Sequence, residues 1–303
     1  MFEKGGNAVK FPRIRAAYNE AAKELRRKPR VSLVYFLLRF LVILTIISQF
    51  FNGNYENVFM GLLTLVLFVL PTVFERQLKI DLPDTLEVII LLFIFAAQIL
   101  GEIQAFYTSV QGWDTALHTV NGFLCAAIGF SLVDMCNRSE RFSLELSPVF
   151  MAIVAFCFSM TIGVLWEFFE CFMDATFGFD MQKDFVVNAI HSVSLDPNNS
   201  NQVYSITGIT DVIVVANGEQ IPLGLGGYLD LGILDTMKDL WVNFIGAAVF
   251  SVIGYFYVKH RGKGFFAKRF IPRVLSSLDE LDLNPFDADA PKKKAAKKSR
   301  KKE

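Results

Sequence analysis

Apolar residues in this chain fall in long runs separated by short polar breaks, with little of the strict alternation that marks half-buried strands. A helix needs about 20 predominantly apolar residues to cross a bilayer core of about 30 Å. Six helices of that kind are predicted: Leu33–Phe51, Val58–Phe74, Thr85–Tyr107, Trp113–Cys136, Pro148–Met173 and Thr236–Val258. The second is expected to bend or end near Pro71, which has no amide hydrogen to donate. Residues 174–234 break the pattern. There Val-Tyr-Ser-Ile-Thr and Val-Ile-Val-Val read as strands, and Asn217-Gly218 reads as a hairpin turn. The run from Asp196 to Asn201 reads as a polar turn, and Gly224–Gly227 as a flexible return to the membrane. A segment of this size buries little core of its own, so it is expected to rest on the helix ends. The fold class is therefore an all-α polytopic membrane protein with six transmembrane helices and a small loop domain containing a β-hairpin.

Composition agrees with that reading. The 303 residues are 53% hydrophobic, with 31 Phe and a mean hydropathy of +0.40, and few soluble domains are this apolar. The formal net charge of zero conceals strong segregation. Nine Lys/Arg precede residue 33 and fourteen follow from Lys259 onward, while Arg76, Lys79, Arg138 and Arg141 occupy the short loops 75–84 and 137–146. Six alternating crossings put these four places on one side, so the positive-inside rule predicts cytoplasmic N and C termini and an extracytoplasmic loop domain.

The expected division is a basic arm over 1–32, helices one to five over 33–173, the loop domain over 174–234, helix six over 235–258 and a charged tail over 259–303. Within the arm, Arg13–Arg30 suggests a surface-lying amphipathic helix. A cleavable signal peptide is not expected, because the first apolar run is long enough to span and no small-residue cleavage site follows that run. The tail reads as largely disordered, ending in a polybasic stretch near anionic lipid, with no nucleic-acid binding expected. The four cysteines contain no CxxC and read as buried apolar side chains.

Against this apolar background, ionisable groups within the spans demand an explanation, because they are costly unless they face a partner, an ion or water. Asp114, His118 and Asn121 open the fourth helix on one face. Gln98 and Glu102 close the third; Trp166, Glu167, Glu170 and Asp174 close the fifth; Asp235, Lys238, Asp239 and Asn243 open the sixth. With the predicted topology these groups lie at one level, together with Trp113, Trp166 and Trp241. His118 and Glu167 fall roughly 7–10 Å inside their helix ends at about 1.5 Å per residue. So many carboxylates beside one lysine require protonation or a metal ion.

Asp114, His118, Glu167, Glu170, Asp235 and Asp239 are the candidate metal ligands, and His118, Glu167 and Asp239 the candidate catalytic residues. Oxygen-rich ligands with one imidazole suit Mg²⁺, Mn²⁺ or Ca²⁺, and Zn²⁺ if His118 binds. Asp114 and Asp235 also sit where helix N-caps belong, Asp174 and Glu102 could be hydrated at the interface, and His191 in the loop could reach over the pocket or remain solvated.

Asp114…His118 with Gly122, then Trp166-Glu167-x-x-Glu170, Met181-Gln182-Lys183-Asp184, Leu234-Asp235-Thr236-Met237-x-Asp239-Leu240 and Gly246-Ala247 resemble the YjdF-like inner-membrane proteins of bacteria. These are distantly similar to VanZ-like membrane proteins. The resemblance covers about residues 85–258. It implies a multi-pass protein of the bacterial inner membrane and supports the site residues, and it names no reaction. The family pattern carries an acid where this chain has Asn243, which leaves that position outside the implied site.

Three functions fit these residues. The first is a metal-dependent hydrolase or transferase acting at the outer leaflet on lipid-linked or other envelope substrates. The second is a cation- or proton-coupled transporter, although the acids stay at one helix end and no internal repeat is present. The third is a non-enzymatic accessory protein whose outer loop binds envelope components. No nucleophile motif accompanies Ser109, Thr115 or Thr119.

Overall fold

Pro29 suits a first helical position, where an amide hydrogen would have no partner, and α1 (Pro29–Phe51) starts there. The computed structural model describes residues 28–78, 80–138, 145–260 and 269–275. The amphipathic arm before Lys28, Lys79, Arg141, the side chain of Arg138 and the tail from residue 276 lie outside the described residues. Six helical stretches are long and apolar enough to cross a membrane: Pro29–Phe51, Tyr55–Gln77, Asp84–Ile103, Trp113–Asn137, Pro148–Phe177 and Ile233–Lys259. Their outward faces carry large exposed apolar side chains, with Phe36 72% and Phe51 82% exposed, as lipid contact requires.

The chain divides into two units. One holds residues up to Trp113 with Asp134–Glu145 and the chain from Phe256 onward; the other holds Asp114–Val133 and Leu146–Tyr255. In the first unit, Val31, Leu38 and Val42 of α1 bury with Phe68, Leu91 and Ile99. The second span is indeed interrupted, by a turn between α2 (Tyr55–Leu67) and α3 (Leu70–Leu78). Pro71 cannot donate back to the carbonyl four residues earlier, and Val69 N instead bonds Val66 O at 3.0 Å, tightening the chain before it resumes.

The third span ends at Ile103 rather than Tyr107. After α4 (Asp84–Phe95) it widens into a π-helical segment, Ala96–Ile103, closed by Gln104 N to Ile99 O at 3.0 Å. Ala105 then adopts a left-handed φ of 56°, and a short α5 (Phe106–Ser109) follows.

Where α3 leads into α4, Lys28 is buried among acids. Its Nζ lies 3.0 Å from Glu75, 2.9 Å from Glu87 and 3.3 Å from Asp81, and donates to the Leu82 carbonyl at 2.7 Å. Burial alone would lower the lysine pKa; the carboxylates, Glu87 foremost, outweigh it and hold the pKa above 10.5. Beside this group β1 (Ile80–Asp81) pairs antiparallel with the segment Arg273–Val274.

The second unit is built on α6 (Trp113–Arg138, from Asp114 to Val133), α7 (Pro148–Phe177) and α8 (Ile233–Lys259, to Tyr255). Ser147 caps α7 by accepting from Phe150 N at 3.2 Å, and Gly178 ends it with φ 68°, a turn beyond Met173. The helix α8 starts three residues earlier than expected because Asp230 accepts from Leu234 N at 2.8 Å and Gly232 N at 3.4 Å. Asp230 therefore fills the capping role, and Asp235 lies inside the first turn with its carboxylate free for other work. Asp114 is likewise the second residue of α6 rather than its cap.

The helices α6 and α8 approach until backbones touch. A Cβ on Gly122 would collide with the Asn243 carbonyl, and one on Gly246 with the Thr119 carbonyl. Lower down, Phe123 and Phe130 set their edges against Phe250, with centroids 5.0 and 6.1 Å away.

Between α7 and α8 the loop forms antiparallel pairs. β2 (Val186–Val187) pairs with β7 (Tyr228–Leu229), β3 (Ala189–Ser192) with β4 (Tyr204–Thr207), and β5 (Ile213–Ala216) with β6 (Glu219–Pro222). Asn217 and Gly218, with φ of 52° and 85°, make the hairpin turn that Asn-Gly predicts. The polar turn is organised by Asp196. It accepts from the Ser200 hydroxyl and amide, both at 2.7 Å, and from Asn198 N at 3.0 Å. Those bonds, the hydroxyl first, pull its exposed carboxyl down to about 2.

Candidate functional site

The backbone contact between α6 and α8 brings His118, one turn before Gly122, beside Asp239, one turn before Asn243. His118 Nε2 lies 3.4 Å from Asp114 Oδ1 and 3.7 Å from Asp239 Oδ2. Asp114, His118 and Asp239 each offer one ligand atom, all within 4.8 Å of one another. A small divalent ion about 2.1 Å from each of two donors separates them by about 3.0–3.4 Å, so slight rotations would let these three share one ion. The other ring nitrogen, Nδ1, faces Glu167 Oε1 of α7 at 3.8 Å. Three helices thus converge on one imidazole.

The remaining candidates have different surroundings. Asp235 accepts from Lys238 Nζ at 2.6 Å and from the Lys183 amide at 2.9 Å. Glu170 accepts from the indole of Trp166 at 2.9 Å. Asp174 accepts from the amides of Met181 and Gln182 at 2.7 and 2.8 Å, tying the loop to the end of α7. Gln182 also donates to Thr236 at 2.5 Å, so the start of the loop does rest on the ends of α7 and α8. Gln98 and Glu102 belong to the first unit. His191 is exposed and contacts the Ser205 hydroxyl at 2.8 Å through Nδ1, in the solvated position.

Beneath the imidazole a short polar chain continues. Asn121 donates to Asn243 at 3.4 Å, and Cys125 Sγ lies 3.5 Å from Asn121 Oδ1. Asn243 is 1% exposed, and a Cβ on Gly163 would crowd its side-chain amide. It braces the crossing rather than joining the acid group.

Charge and burial set what the group can do. Glu167 is 4% and Asp239 2% exposed, and Glu167 Oε2 and Asp239 Oδ1 have no hydrogen-bond partner among the described residues. Lys238 Nζ reaches Asp114 Oδ2 at 3.3 Å and Asp239 Oδ1 at 3.5 Å, and lies 5.4 Å from the ring centroid of Phe185. Sequence alone signals this lysine only as the one base near the acids; its position among three carboxylates depends on the crossing of α6 with α8. Beyond the helices the rim stays acidic. The Asp184 carboxyl is raised, first by partial burial and then by Asp180, Asp230 and Asp174.

Long apolar helices gathered around a buried acid–imidazole group define a helical membrane protein with a polar centre at its helix ends. Residues 33–260 match the family described as "Predicted membrane protein (DUF2238)", and the chain belongs to that family, which is the YjdF-like family that the sequence motifs resemble. No curated protein and no solved structure matches the chain.

Proposed function

We propose that this protein binds one divalent cation through Asp114, His118 and Asp239 and uses it to hydrolyse, or transfer a group from, a lipid-linked envelope substrate. The observation that carries this reading is that Asp114, His118 and Asp239, the last only 2% exposed, bring three ligand atoms to within 4.8 Å of one another. Burying an ionised carboxylate without compensation costs several kcal/mol, and a cation beside it removes most of that cost. Two carboxylates and an imidazole suit Mn²⁺ or Zn²⁺, and Mg²⁺ with added water; Ca²⁺ normally takes about 6–8 oxygens.

Such an ion polarises a phosphoryl or acyl oxygen and makes water more acidic. The protein's own part follows from the two faces of His118. Its Nε2 faces Asp114 and Asp239, while its Nδ1 faces Glu167 Oε1 at 3.8 Å, where that carboxylate would hold the ring once the group closes around an ion. The group lies in the opening turns of α6 and α8 and the closing turns of α7. With cytoplasmic termini in the inner membrane of a bacterium, as the charge pattern favours, it faces the outer leaflet, where a lipid-borne phosphate can enter sideways.

Metal analysis and Mn²⁺ titration of the purified protein test the binding step. One ion per chain is expected, lost in Asp239→Asn and Asp114→Asn while helix content is kept. A folded wild-type protein that takes up no divalent ion overturns it. The enzymatic step is tested by supplying polyprenyl phosphates and phospholipids to the metal-loaded protein. Absence of turnover across that panel overturns the enzyme reading.

A further inference from the structure

The two acids on the Nε2 side of His118 each turn one oxygen toward the imidazole and the other toward Lys238. Asp114 presents Oδ1 to His118 and Oδ2 to Lys238; Asp239 presents Oδ2 to His118 and Oδ1 to Lys238. Asp235 completes the far side, 2.6 Å from the ammonium. Two adjoining sets of donors result, sharing two carboxylates. The first is Asp114 Oδ1, His118 Nε2 and Asp239 Oδ2; the second is Asp114 Oδ2, Asp235 Oδ1 and Asp239 Oδ1. Bridging carboxylates of this kind hold the ions of two-metal centres about 3.5–4 Å apart.

We propose that the ammonium of Lys238 occupies the second position of a carboxylate-bridged cation pair, so the chain supplies one cation and takes one divalent ion from outside. This rests on the divalent-ion reading of the first position. Asp235 is then the anchor of the built-in cation rather than a ligand of the exchangeable ion. Its other oxygen, held by the Lys183 amide, fixes that anchor to the loop. Lys238 also lies on α8 one residue before Asp239 and three after Asp235, so the same helical turn sets both the cation and its carboxylates. A lysine is a compact point charge with three donors, which matches three oxygens from three residues. By filling the second position it makes the site mononuclear and holds the two shared carboxylates in place for the first ion.

The test is stoichiometry. Mn²⁺ binding and Mn²⁺ electron paramagnetic resonance are measured on the full chain in nanodiscs, for wild type, Lys238→Ala and Lys238→Ser. Wild type is expected to bind one Mn²⁺ with an isolated six-line spectrum. Each variant is expected to bind two, with the broadened spectrum of a spin-coupled pair. Methylammonium, which restores the missing charge, should weaken the second Mn²⁺ in either variant at least tenfold. Variants that keep helix content but bind one ion or none overturn the proposal and leave the first site standing. So does a second, coupled Mn²⁺ in wild type, a measurement that needs no variant. Wild type that binds no Mn²⁺ removes the underlying reading and this proposal together.

Discussion

Gly122 of α6 rests against the backbone carbonyl of Asn243 on α8, with no room for a side chain between them. The reciprocal pair, Gly246 against the Thr119 carbonyl, lies a turn away on the same crossing. A carbonyl within a helix cannot swing aside as a flexible side chain can. Gly122→Ala and Gly246→Ala are therefore expected to force the helices apart, at about 1–3 kcal/mol each. A lowered apparent Tm in detergent, together with weaker Mn²⁺ binding at a site one turn away, is the expected result. Unchanged Tm and affinity in both variants would show that the crossing tolerates the extra methyl.

Glu167 touches the imidazole from the side opposite the proposed ion. Removing its carboxylate by Glu167→Ala is expected to lower divalent-ion affinity about 10–100-fold, the usual effect of losing the partner of a ligating histidine. Glu167→Gln keeps an oxygen that can accept from Nδ1–H and should lose less. Isothermal titration of the two variants separates the cases. Equal losses would mean that the charge of Glu167, and not its hold on the ring, matters to the ion.

The Lys28 group predicts an effect far along the sequence from the crossing of α6 and α8. Lys28→Met removes the cation among Glu75, Asp81 and Glu87, and breaking a buried pair from one side costs about 3–5 kcal/mol. Because the folded pKa of Lys28 is raised, its contribution is fully present below 10.5 and fades as the pH climbs through the folded value. Chemical denaturation of wild type and Lys28→Met at pH 7 measures the difference. Equal midpoints would mean that other partners of these acids suffice.

Asp196 is a second case, with the opposite sign. Its folded pKa is depressed to about 2, so the bonds it accepts persist above the ordinary carboxylate range and are lost as pH falls toward that value. A carboxyl ¹³C titration of the full chain should place its midpoint near 2. In Asp196→Asn the amides of Asn198 and Ser200 should exchange faster. A midpoint near that of a free aspartate would mean that the turn is open.

The parts legible from sequence were those that periodicity and cost dictate. Apolar runs located all six spans, because length in hydrocarbon is a one-dimensional property. Asp114 and His118, four residues apart, had to share a face, and Asp239 stood out because a charge a full turn inside a span needs company. What sequence left open depended on where chains meet. Asp235 suited a cap or a ligand until Asp230, five residues earlier, took the capping role and shifted the start of α8. The division of His118 between Glu167 on one nitrogen and two aspartates on the other is set by side-chain direction, which spacing along one helix does not encode. The π-helical turn at Ala96–Ile103 changes hydrogen-bond register without changing apolarity, so hydropathy carries no sign of it. Lys28, Glu75, Asp81 and Glu87 lie at the ends of separate elements, and no repeat or motif links them.

Three consecutive amides tie two helix ends together: those of Met181 and Gln182 donate to Asp174 at the end of α7, and that of Lys183 donates to Asp235 at the start of α8. This short knot lets the two helices behave as neighbours in a tight hairpin, whatever length of chain intervenes. The hairpins beyond it can therefore be lengthened, trimmed or exchanged at Asn199–Asn201 or Asn217–Gly218 without moving the acids beneath. Any side chain but proline at 181–183 keeps the three donors, so the knot depends on the two acceptors, Asp174 and Asp235.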